Sequence, residues 1–122
     1  MKRIAILVAD FFDDNELFYP YYRFQEAGFH VDLIGAEANA THKSKKGQTA
    51  TTDLAAKDVS ADDYEALMIP GGFSPDYMRR SKDIVAFAKA MNDAKKPIGA
   101  ICHGAWLLIR AADLKGKTMT YY

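Results

Sequence analysis

Short aliphatic runs alternate with helix-patterned segments along this chain, and that alternation leaves few folds open. Ile4 to Val8, His30 to Ile34, Ala66 to Ile69 and Pro97 to Ile101 each read as a short buried strand. Between the first two, Asp13, Asp14 and Asn15 offer N-caps for a helix through about Ala27. Leu17, Tyr21, Phe24 and Ala27 fall on one face of that helix, and Gly28 is its stop signal. Pro20 lacks an amide hydrogen, so the first turn is expected to be kinked or separately wound. Ser81 or Asp83 caps a later helix whose apolar face holds Ile84, Phe87, Ala88 and Met91. Strand and helix in turn argue a parallel α/β sheet with helices on both faces.

The remaining segments fit around that frame. Thr41 to Asp53 is polar, with Lys46-Gly47 in the middle, and reads as an exposed hairpin with a glycine turn. Ser60-Ala61-Asp62-Asp63 reads as a short capped turn, His103 to about Ala112 as a helix, and Thr118 to Tyr122 as a further strand. The whole of residues 1–122 is read as one domain.

Charge and cysteine content narrow the function classes. Lys plus Arg and Asp plus Glu are both 16, so neither nucleic acid nor an acidic membrane surface is called for. No apolar run approaches a membrane span, and Lys2-Arg3 precede a strand that meets Asp10, not a signal peptide. The single cysteine cannot form an internal disulfide, which fits a reducing cytoplasm. Asn39-Ala40-Thr41 matches a glycosylation sequon by chance in such a setting.

In sheets of this kind the functional crevice lies at the carboxyl ends of the strands. The loops after Val8, Ile69 and Ile101 meet there and bring Glu16, Gly72, Cys102 and His103 together. Cys102 sits between a strand and a helix pattern, in Ile101-Cys102-His103-Gly104. A nucleophile on such a turn is pushed out at the tip of the sheet, over a helix end that favours a thiolate. A protonated Glu16 donating to the sulfur would favour the thiolate further. The plainer reading of Cys102 is a small core hydrophobe.

His103 follows directly, so its side chain is expected to point away from the sulfur, though it can swing in as a base. The plainer reading is a histidine that only caps or packs. Pro70-Gly71-Gly72 can present an amide to an oxyanion together with the His103 N–H, or simply make a tight turn. His30 and His42 lie in other segments without ligand spacing, so no metal is expected. Phe18, Tyr19, Tyr21, Tyr22 and Phe24 spread too far around one helix to be wholly core, and part of that set is expected to face a partner subunit.

Taken together, three stretches resemble the ThiJ/PfpI superfamily, of the class I glutamine amidotransferase-like group. They are Asp13-Asp14-Asn15-Glu16-Leu17-Phe18-Tyr19-Pro20, Asp63 to Asp76 around Pro70-Gly71-Gly72, and Ala100-Ile101-Cys102-His103-Gly104. The superfamily includes PfpI-type cysteine peptidases and the Parkinson-associated deglycases. The resemblance implies a flavodoxin-like, doubly wound sheet. It implies that Cys102 is the nucleophile, Glu16 the acid bonded to it, and Gly72 and His103 the oxyanion-hole amides, with Gly71 and Tyr122 beside the pocket. Asp76 matches an acid that reaches across a subunit interface to the histidine.

The implied activities are hydrolase, deglycase or glyoxalase-like action on α-dicarbonyls or their adducts, or peptidase action. Substrates are then small carbonyls or glycated proteins and peptides, without cofactor, nucleic acid or membrane. Assembly is as a homo-oligomer, a dimer or ring of dimers. The alternative is a redox-sensing chaperone or stress protein that uses oxidation of Cys102. Two departures stand out: Ala105 replaces a proline common after Cys-His-Gly, and relatives continue for tens of residues past Tyr122. The latter implies a chain truncated relative to the family fold, with exposed sheet edge and helix faces.

Overall fold

A computed structural model describes residues 2–111, without the side chain of residue 110. β1 (Arg3–Leu7) lies inside a five-stranded sheet, flanked by β2 (His30–Gly35) and β6 (Ala66–Ile69). β5 (Leu54–Ala55) extends the sheet beyond β2, and β7 (Ile98–Ala100) extends it beyond β6. All four pairings are parallel, with Ile4 opposite Val31 and Ala66, and Leu67 opposite Ile98.

Alternation along β1 serves both faces of the sheet. Ile4, Ile6 and Val8 join Leu17, Val31 and Leu33 in one buried cluster, flanked by Phe18, Tyr21 and Phe24 of α1 (Asp14–Glu26). Ala5 and Leu7 join Leu67, Ile69, Ile84, Phe87, Met91 and Leu107 in the other. That second cluster is covered by α3 (Lys82–Asp93) and α4 (Ala105–Ala111). This is the doubly wound arrangement the alternation predicts.

The local signals act as expected at most boundaries. The Asp13 carboxylate caps α1 by accepting from the Asn15 and Glu16 amides, and Ser81 caps α3 through the Ile84 amide. Ser60 caps a 3-10 turn over Ala61–Asp63. β3 (Thr41–Lys43) and β4 (Thr49–Thr51) form the antiparallel hairpin, with Gly47 at φ 89° in its turn.

Elsewhere tertiary contacts prevail over local reading. α1 runs as one helix through Pro20, whose ring is buried. Proline removes one helix bond there, and packing on the sheet outweighs that loss. The hairpin is not wholly exposed: Ser44, Ala50 and Thr52 are buried. Ser44 Oγ donates to Asp14 on α1 and accepts from the Lys46 and Gln48 amides, tying the turn to the helix. A short α2 (Ser74–Met78) and the two-residue β5 carry no periodicity that a sequence pattern can register. The helix expected from His103 instead begins as a 3-10 turn over Cys102–Gly104 before α4. The strand expected at Thr118–Tyr122, and Tyr122 itself, lie outside the described residues.

Candidate active site

The chain passes from β1 to β2 on one side, then returns to place β6 on the other side of β1. The carboxyl ends of β1 and β6 therefore flank the point where the strand order reverses, the usual crevice of an open α/β sheet. Asp10 to Asp13 leave β1 there, Pro70-Gly71-Gly72 leave β6, and Cys102 follows β7 next door.

Backbone strain concentrates at this crevice. Cys102 has φ 53° and Phe11 has φ 61°, two of four non-glycine residues with positive φ among the described ones. Such angles are uncommon for residues with a β-carbon and persist only where surroundings impose them. At Cys102 the turn lifts a half-buried thiol off the end of β7. The elbow expected from Ile-Cys-His-Gly is present.

The same turn overturns one expectation. The His103 ring does not point away: its Nδ1 lies 3.3 Å from Cys102 Sγ, within hydrogen-bond reach for sulfur. Neighbouring side chains on a regular helix diverge. The left-handed backbone at Cys102 breaks that regularity and lets two successive side chains converge.

Glu16 reaches the crevice from the first turn of α1, but not to the sulfur. Its Oε1 accepts a 2.8 Å hydrogen bond from the Gly71 amide, and the hydrogen bond expected between Glu16 and Cys102 is not formed. A backbone N–H aimed at a carboxylate is a strong donor. Gly71 lies between the two groups: a β-carbon there would run into Glu16 Oε1, the Ile101 carbonyl at 2.8 Å and the Cys102 β-carbon at 3.0 Å. A larger residue at 71 would therefore clash with both the acid and the elbow. Burial raises the Glu16 carboxyl above the ordinary range and Asp13 adds to this, against the Gly71 N–H, Lys45 and charge on His103. Glu16 is thus biased towards its protonated form beside the elbow.

Gly72 sits at φ 69°, paired across the crevice with Phe12. Asp76, on α2, is held within its own chain. Its Oδ1 accepts from Arg79 Nε and Nη2 at 3.1 and 2.7 Å, and its Oδ2 from Arg80 at 2.9 Å. Arg79 above all, then Arg80, holds this carboxyl below its usual range. Arg79 and Trp106 also belong to this neighbourhood and were not singled out from the sequence. Their signals were the spacings Asp76–Arg79 and His103–Trp106, each three residues along a helical stretch. Among the described residues, no three of His, Cys, Asp and Glu group to hold a metal, and no helix is long and apolar enough to cross a membrane.

A doubly wound sheet with a strained cysteine elbow beside its switch point, an acid opposite and paired glycines between them defines a narrow class of α/β proteins. The chain belongs to the DJ-1/PfpI family, whose profile matches residues 2–122. It is 46% identical over 121 residues to the protein YraA of Bacillus subtilis (strain 168), covering 99% of this chain and 72% of that one. It is 40% identical over 120 residues to "Protein/nucleic acid deglycase 2" of Escherichia coli (strain K12), covering 98% and 70%. Among solved structures, it superposes with TM-score 0.88 and 33% identity on an Anabaena variabilis protein containing DJ-1/ThiJ/PfpI-like and ferritin-like domains. That match covers 91% of this chain and 32% of the larger one.

Proposed function

We propose that this protein is a cysteine-dependent hydrolase of the PfpI type that acts on α-dicarbonyls or the adducts they form on amines. The observation that carries the reading is the elbow itself: a thiol on a φ 53° turn with an imidazole nitrogen 3.3 Å from its sulfur, beside an acid whose carboxyl is raised by burial. The deglycase name of the Escherichia coli relative supports the same chemistry.

The roles follow from position. His103 Nδ1 takes the Cys102 proton, and the thiolate attacks the carbonyl carbon of the substrate. A carbon–sulfur bond forms as the carbonyl π pair moves to oxygen. The Gly72 and His103 amides would hold that oxyanion. Protonated Glu16 supplies a proton to the oxyanion or to a departing amine. The aldehyde hydrogen of that adduct leaves as a proton and returns to the ketone carbon by way of an enediol, leaving a thioester. Water then cleaves the carbon–sulfur bond and returns the Cys102 thiol, so overall an α-dicarbonyl and water give a 2-hydroxycarboxylate. The aldehyde carbon is oxidised and its ketone neighbour reduced, so no external redox partner enters. Asp76 would serve His103 of a second copy only by exchanging its arginine partners.

The test is methylglyoxal consumption by the intact protein, with Cys102→Ala, Glu16→Gln and His103→Ala beside it. Cys102→Ala should abolish turnover, and Glu16→Gln should lower it about 10²-fold or more. Equal rates for wild type and Cys102→Ala would overturn the reading.

A further inference from the structure

Behind the Cys102–His103 pair stands a stack of side chains that the chemistry above does not use. The His103 ring meets Trp106 edge-to-face, with centroids 4.2 Å apart and planes at 84°. The guanidinium of Arg79 lies 5.4 Å over the Trp106 ring. Arg79 is itself fixed by two hydrogen bonds to one oxygen of Asp76. His103 and Trp106 are one turn apart where the 3-10 turn runs into α4, and α4 packs against α2.

We propose that Trp106 and Arg79 are positioning residues that hold the His103 imidazole in the orientation where Nδ1 addresses the Cys102 sulfur. The inference rests on the reading of Cys102 as the reacting thiol and His103 as its proton partner. Adjacent side chains ordinarily diverge, so their convergence on a strained turn calls for restraint from neighbouring groups. An edge-to-face indole restrains the ring plane. The indole is restrained in turn by a planar cation that cannot lose its charge. Lysine could not replace that fork, since it would neither stack nor make the paired contact to Asp76.

The thiol's pH dependence reads the restraint directly. Among the described residues, the charged and titratable groups around the pair come from several elements: Glu16 on α1, with Asp13 and Lys45 beside it, and Asp76, Arg79 and Arg80 from the α2 region. Trp106→Leu and Trp106→Phe change none of them. The rate of Cys102 alkylation by iodoacetamide, followed across pH, should fall about three- to tenfold near neutrality in Trp106→Leu. Its profile should move towards that of His103→Ala. Trp106→Phe, which keeps a ring edge, should recover most of the loss. Arg79→Lys, which keeps the charge but loses the fork, should lose less, in the same direction.

Trp106 is the one tryptophan of the chain, so its emission gives a second readout. A protonated imidazole against the indole quenches it, producing a pH-dependent step that His103→Ala removes. If Trp106→Leu does not fold, Arg79→Lys, which keeps the charge at a half-exposed site, carries the alkylation test. Wild-type profiles in both variants, with a shifted profile in His103→Ala, would overturn the positioning role alone. An unshifted profile in His103→Ala would overturn the thiol–imidazole pair and the positioning role with it.

Discussion

An alanine at position 72 meets two penalties, of which an alanine at position 28 meets one. Both glycines have positive φ, 69° and 94°, so a β-carbon at either is strained by about 1–2 kcal/mol. At Gly28 nothing lies within 4 Å of the new carbon. At Gly72 it would lie 2.6 Å from both the Asp13 nitrogen and the Phe11 oxygen, and 2.9 Å from the Phe12 carbonyl carbon. All three are backbone atoms, so no rotamer change relieves the contact, and overpacking of this kind adds about 1–3 kcal/mol. The expected losses are about 1–2 kcal/mol for Gly28→Ala and about 2–5 kcal/mol for Gly72→Ala. At about 4 °C per kcal/mol, the midpoint of thermal unfolding followed by far-UV circular dichroism should drop about 4–8 °C in the first and about 8–20 °C in the second. Gly47→Ala, at φ 89° in open space, should behave like Gly28→Ala. A Gly72→Ala midpoint equal to the Gly28→Ala midpoint would refute the claim that the crossing of the β1 and β6 loops is closed to a side chain.

Three further outcomes follow from the hydrogen-bonding and burial. The Glu16 carboxyl is raised in the folded chain, so the native state holds its proton more tightly than the unfolded state. That contribution is full below the unfolded value near 4.5 and is lost as pH rises through the folded one. Glu16→Gln, which stays neutral, should therefore stabilise relative to wild type at about pH 8 and not at about pH 4; urea midpoints with the same offset at both would contradict this. Ser44→Ala leaves the Lys46 and Gln48 amides without their acceptor, and leaves the Asp14 carboxylate with neither oxygen bonded. A loss of about 2–3 kcal/mol is expected, with hydrogen exchange quickening first in the β3–β4 hairpin; unchanged hairpin protection would count against the anchor. Burial raises the Tyr64 phenol well above the ordinary range, and its donation to Asp32 Oδ2 at 2.8 Å adds to this. Tyr64→Phe should lower stability by about 1–3 kcal/mol, and in alkaline absorbance titration should remove a tyrosine that ionises only with unfolding.

The parallel sheet with helices on both faces was legible because its signals are short-range. Strands Ile4 to Val8 and Ala66 to Ile69 are aliphatic runs that can only be buried, and Asp13, Ser60 and Ser81 satisfy amides two or three residues away. The elbow was legible for the same reason: a strand, a small-residue turn and a helix in a row leave one place for Cys102. The strand order, and with it the switch point, was left open, since any parallel neighbour satisfies an aliphatic strand equally well. The two-residue β5 and the five-residue α2 were invisible because their contacts supply their structure.

Within the crevice, sequence named the participants and tertiary structure assigned their partners. Glu16, Gly71, Gly72, Cys102, His103 and Asp76 could be singled out from motifs, but a motif holds no distances. Packing of α1 against the sheet sets the Glu16 carboxyl on the Gly71 amide instead of the sulfur. The left-handed backbone at Cys102 turns the His103 ring inward, against the divergence that adjacency predicts. Arg79 and Arg80 engage Asp76, and Trp106 reaches His103, at the local spacing of one helical turn; the contact of Arg79 with Trp106, between α2 and α4, is the one no local pattern encodes. Residue types determine what chemistry is available; the geometry of long-range packing decides which groups meet, because side-chain interactions fall off within a few ångströms and sequence separation says nothing about that range.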